Sequence, residues 1–214
     1  MGKSQIDLFS LFNQVSKTLK TNQPELNKAD SYNNDHGDHM VEIFEVIKQA
    51  MQEKKSADPA DQLEYAAALL RRKSQSGSAK IYAKGLSQAS KQFTGQEINM
   101  GNIMPLLQTI LGGSAKTAPK STSAASGAGD LLGSLLTGMA GGKTSEASQG
   151  LDLADLLGAG MSYMQAKQSG KGDMEALVGA LVGGSQMGSS PHRAQSSELV
   201  ANTILQGLSA MIGK

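Results

Sequence analysis

Leu8-Phe9-Ser10-Leu11-Phe12-Asn13-Gln14-Val15-Ser16-Lys17-Thr18-Leu19 sets Leu8, Leu11, Phe12, Val15 and Leu19 three and four residues apart. That step carries side chains to one face of an α-helix. The same stripe returns in Met40, Ile43, Phe44, Ile47 and Met51, in Leu63, Ala66, Ala67 and Leu70, and in Tyr82, Leu86, Ala89 and Phe93. No segment sustains the alternation that a half-buried strand requires, so the fold class is all-α.

Punctuation sets the expected helix ends. Pro24 interrupts the first helix or opens the next element, because its ring removes a backbone donor. Asp58-Pro59 starts a helix, with Asp58 accepting first-turn amides and Pro59 losing nothing at the first position. Arg71-Arg72-Lys73 closes that helix, where cations complement the dipole. A further helix is expected over 98–111, with Pro105 bending it or marking its true start. Residues 112–129, rich in Gly, Ser, Ala, Thr and Lys, read as a flexible loop or linker. Apolar segments follow at 131–139, 151–164, 174–182 and 199–212, at spacings too irregular for a solenoid. Glycine in a helix costs about 1 kcal/mol against alanine, so its frequency here points to close helix approach.

The 214 residues fit a single helical domain over 1–214. A net charge of +1 provides neither a footprint for nucleic acid nor a polybasic patch for a membrane surface. Absence of cysteine excludes a disulfide scaffold and thiolate chemistry. Every apolar run is broken well short of the roughly 18 residues that span a bilayer. With no secretory leader at the start, a cytoplasmic location is the expectation. Few aromatics, no Trp and 11 Met predict a core of adaptable aliphatic side chains rather than rings.

The chemistry concentrates in Asp30-Ser31-Tyr32-Asn33-Asn34-Asp35-His36-Gly37-Asp38-His39, between the first two stripes. Asp30, Asp35 and Asp38 are hard oxygen donors at a spacing able to converge on Mg²⁺. An equally good reading makes them turn and cap residues of a solvated loop. A third sets His36 and His39, with the carboxylates, on a transition metal. His192, between Pro191 and Arg193, reads as part of a surface loop.

Leu26-Asn27-Lys28-Ala29-Asp30, then Asp35-His36-Gly37, then Met40 and the stripe to Met51, resemble the signature of the L subunit of dihydroxyacetone kinase. That signature is a leucine-bearing segment ending in Asp, followed by Gly-Asp-Gly-Asp-His-Gly and a Met-containing helix. Ser74-Gln75-Ser76-Gly77-Ser78 is similar in position to the family's Gly-Gly-Thr-Ser-Gly turn. Gly160-Met161-Ser162-Tyr163 and Gly172-Asp173 weakly echo its Gly-Arg-Ala-Ser-Tyr and Asp-Pro-Gly elements.

The resemblance implies an eight-helix barrel of antiparallel helices with a nucleotide site at one end. Asp30 and Asp35 would hold Mg²⁺, His36 would approach the phosphates of ADP or ATP, and Ser76, Gly77 and Ser78 would cradle them. It implies a phosphotransferase subunit acting on a dihydroxyacetone-like substrate held by a separate substrate-binding subunit; a homodimer is compatible with it. The sequence departs from the pattern where Asn33-Asn34-Asp35 replaces Gly-Asp-Gly-Asp, which leaves Asp38 as a substitute ligand. Ser-Gln-Ser replaces Gly-Gly-Thr, and Met161 replaces the Arg of the third motif. Fewer carboxylates weaken a Mg²⁺ site, so a non-catalytic helical scaffold or regulatory module is the alternative, and a divalent-metal-binding protein a further one.

Overall fold

The computed structural model describes residues 6–99, 102–112, 164 and 172–212. Its elements are α1 (Leu8–Ala29), α2 (His36–Glu53), α3 (Pro59–Lys73), α4 (Gly77–Gln92), α5 (Ile103–Ile110), α6 (Asp173–Gly183), a 3₁₀ turn (Gln186–Ser189) and α7 (Pro191–Ile212). Among the described residues there is no strand, as the periodicity requires. No helix among them is long and apolar enough to cross a membrane. The expected segments at 131–139 and 151–163, the loop over 113–129 and the motif at Gly160–Tyr163 lie outside the described residues.

Every residue of the four stripes is buried. The stripe of α1 meets that of α2 in an antiparallel hairpin: Ser16 pairs with Glu45, and Gln23 with Asp38, positions that run in opposite directions. α2 packs on α3, α3 on α4 and α4 on α5, while α7 lies along α1 and also touches α2. The core departs from the expectation in one respect. Its centre is a line of rings, with Phe12 tilted against Phe44 at 6.2 Å and Phe44 edge-on to Tyr82 at 5.1 Å. Rings are few, but each of these is fully enclosed, where aromatic pairs add to area burial.

The punctuation residues behave unevenly. Pro24 neither ends nor starts a helix; α1 runs through it to Ala29, because the buried Leu26 beyond it anchors the last turn in the core. Pro105 sits in the first turn of α5, which begins at Ile103. Asp58 occupies the N-cap of α3 without a side-chain hydrogen bond to it. The final helix begins at Pro191, eight residues before the expected start, so His192 and Arg193 lie in its first turn rather than in a surface loop.

Candidate functional site

Antiparallel packing collects one set of helix ends. The C-terminus of α1, at Asp30, and the N-termini of α2, α4 and α7 share one end of the bundle. His36 of α2 reaches Ser196 of α7, and Arg193 of α7 lies against Gly77 of α4. Three helix starts therefore point their unpaired amides and positive dipole ends the same way.

His36 is the centre of this end. It is only 4% exposed, and its Nε2 lies 2.9 Å from Ser196 Oγ. The one hydroxyl proton of Ser196 goes to the Arg193 carbonyl at 3.0 Å, so Nε2 of His36 donates and Nδ1 is left as an acceptor. The ring of His192 stands edge-on to that of His36 at 4.7 Å. Burial first, then His192, push His36 down to about 4, with Asp30 opposing them. The imidazole is thus neutral at ordinary pH.

Asp30, 5% exposed, caps the end of α1 and accepts the Tyr32 N–H at 3.1 Å. That hydrogen bond holds its carboxyl below the usual range, with help from His192 and His36. Asp35 sits at the N-cap of α2 and accepts from Asn33 Nδ2 at 2.9 Å, and its Oδ1 lies 3.2 Å from His39 Nδ1. Asp38 turns the other way. Its Oδ1 accepts from Gln23 Nε2 and from Asn27 Nδ2, and Asn27 Oδ1 in turn accepts the Asp38 N–H. These amides from α1 keep Asp38 ionised well into acid.

The three carboxylates therefore serve three different local structures. Among the described residues no group of three or more His, Cys, Asp or Glu side chains stands together so as to hold a metal ion. As arranged, the set does not fit Mg²⁺, and the His36/His39 pair does not fit a transition metal, since each imidazole is turned to its own partner.

The segment expected as a loop over 74–78 instead opens α4 at Gly77. Ser76 is the N-cap of α4, and its Oγ accepts the Ala79 N–H at 3.1 Å. Gly77 and Ser78 open the helix itself, where their amides lack intrahelical acceptors. A methyl group built on Gly77 would stand 2.7 Å from Arg193 Nη2, so the glycine makes room for the guanidinium. Gly37 has a related role in α2: a Cβ there would collide with the Gln23 carbonyl oxygen, so its absence lets the start of α2 lie directly on α1.

His192 and Arg193 lie in a helix and not in the surface loop expected for them. Pro191 opens the run and Ser196-Ser197 follow it, but the apolar stripe starts only at Leu199.

No family model, curated protein or solved structure matches the chain. The likeness to dihydroxyacetone kinase thus rests on the residues quoted above.

Proposed function

We propose that this chain is a helical nucleotide-binding subunit similar to the L subunit of dihydroxyacetone kinase, one that works with a separate substrate-binding partner. In this reading it holds ADP or ATP by the phosphates where α2, α4 and α7 begin. The observation that carries it is the collection of three helix starts with Gly77, Ser78, His36, His192 and Arg193 around one end, an arrangement complementary to phosphate oxygens. A second feature supports it. Asn34, directly before Asp35, has a φ of 57°, and the family motif has glycine directly before its Asp-His-Gly. Asparagine is among the few residues that adopt this backbone in place of glycine.

The division of labour follows from the donors. The amides of Gly77 and Ser78 and the Arg193 guanidinium would bind phosphate oxygens, and the neutral His36, fixed by Ser196, would orient without adding charge. Mg²⁺ would neutralise charge in phosphoryl transfer, but among the described residues the carboxylates do not gather around one point. The eight-helix barrel is part of this proposal.

The non-catalytic scaffold is the second reading. It is favoured by the commitment of Asp38 to Gln23 and Asn27, which makes a would-be ligand part of the α1–α2 joint. Thermal stability with ADP, ATP and Mg²⁺, singly and together, separates the two. A nucleotide at 100 times its dissociation constant adds about 2.7 kcal/mol of stability. No shift under any condition favours the scaffold.

A further inference from the structure

A cation is placed here against the ordinary rule for helix ends. Acidic side chains stabilise a first turn and basic ones a last turn. Yet Arg193 is the third residue of α7, while α4 and α7 have no acidic residue in their first turns. Arg193 contradicts the rule twice, being in the first turn of its own helix and against the first residue of α4 at Gly77. It is half-buried, and its Nε is shut off from solvent with no hydrogen-bond partner. Among the described residues it has no carboxylate partner. An anion joining this guanidinium would supply the partner that its buried Nε lacks.

Among the described residues the carboxylates do not gather to hold a metal ion: Asp38 is taken by α1 and Asp30 by the Tyr32 amide, and Asp35 accepts from Asn33 while its buried Oδ1, without a hydrogen-bond partner, lies 3.2 Å from His39 Nδ1. We infer that Arg193 stands in for the divalent cation, so that this end of the bundle binds a phosphate-bearing ligand without metal. The inference rests on the nucleotide-subunit reading and assigns its charge compensation to a residue that reading does not require. Arginine suits the role, because its planar fork offers two parallel donors to a phosphate and its charge does not depend on pH.

The test is calorimetric titration of the full chain with ADP, and separately with inorganic pyrophosphate, in EDTA and in excess Mg²⁺. Binding in EDTA at no worse than a few-fold below the Mg²⁺ value, weakened about tenfold or more in Arg193→Ala, supports the inference. Arg193→Lys should recover only part of the loss, since an ammonium lacks the fork. Because Arg193 donates no side-chain hydrogen bond among the described residues, Arg193→Ala should fold with an unchanged or higher Tm without ligand; a lower Tm would mark a structural role and overturn the inference. Binding that needs Mg²⁺ and ignores Arg193→Ala also overturns it, and leaves the nucleotide-subunit reading intact. No binding of either ligand, with or without metal, removes both.

Discussion

The rings of His36 and His192 meet edge-on, 63° apart in plane, and join the first turn of α2 to the first turn of α7. One helix comes from the N-terminal hairpin and the other from the far end of the chain. This contact, with the His36–Ser196 hydrogen bond, closes the end of the bundle where Asp30, Gly77 and Arg193 also lie.

The burial of His36 at this end, with His192 against it, makes folding sensitive to mild acid. His36 is held down to about 4 against an ordinary 6.5. Between those values the unfolded chain binds a proton that the folded chain refuses, so stability falls as pH drops from about 6.5 to about 4 and levels below. The loss attributable to His36 is on the order of 3 kcal/mol. Denaturant midpoints across this range should be steeper in pH for the native chain than for His36→Gln. Equal slopes would show that the imidazole is not buried neutral.

Glu45 sets a second, more acidic limit. Burial raises its carboxyl, but hydrogen bonds from Lys48, Ser16 and Lys20 outweigh that and hold it at about 2. A carboxyl lowered on folding contributes above its ordinary value and loses that contribution as pH falls toward about 2. Glu45→Gln should therefore lower Tm at neutral pH and converge with the native chain near pH 2. A constant difference across that range would assign the effect to packing alone.

Asn34 tests the backbone of the loop. Its φ of 57° is strained for any residue with a Cβ that lacks asparagine's local hydrogen bonding. Asn34→Ala should destabilise by about 1 kcal/mol and Asn34→Gly should be neutral or stabilising, read from chemical denaturation. The reverse order would mean that the asparagine side chain, not the backbone, matters.

Gly37→Ala should cost about 1 to 3 kcal/mol despite the better helix propensity of alanine. Its Cβ would meet the Gln23 carbonyl oxygen, and backbone cannot swing aside as a side chain can. The hydrogen bonds between Asn27 and Asp38 should weaken with it, seen as faster exchange of the Asp38 amide, which donates to Asn27 Oδ1. An unchanged stability would show that α2 shifts off α1 freely.

Phe44→Ala removes the middle ring of the Phe12–Phe44–Tyr82 line and should cost about 3 to 5 kcal/mol. A loss below about 1 kcal/mol would show that the neighbouring methionines refill the space.

Helical periodicity was sufficient for the fold class and for the inward faces of α1 to α4, because burial alone decides which face of an amphipathic helix turns inward. Leu8, Met40, Leu63 and Tyr82 each begin a stripe that is buried throughout. Ser76 caps α4, a local arrangement in which a serine before a glycine-opened helix accepts a first-turn amide.

The site depended on what lies across space. Asp30, Asp35 and Asp38 are near neighbours in sequence, yet each carboxylate follows the nearest donor, and those donors sit on α1 and in the loop itself. Nothing in the spacing of three aspartates reveals that Gln23 and Asn27 will take one of them. Nor does it reveal that Arg193, more than a hundred residues beyond Gly77, will fill the space where that glycine lacks a side chain. Periodicity is a property of one helix and is written in the chain; which helix ends share a neighbourhood is fixed only when the cores of all the helices are packed together.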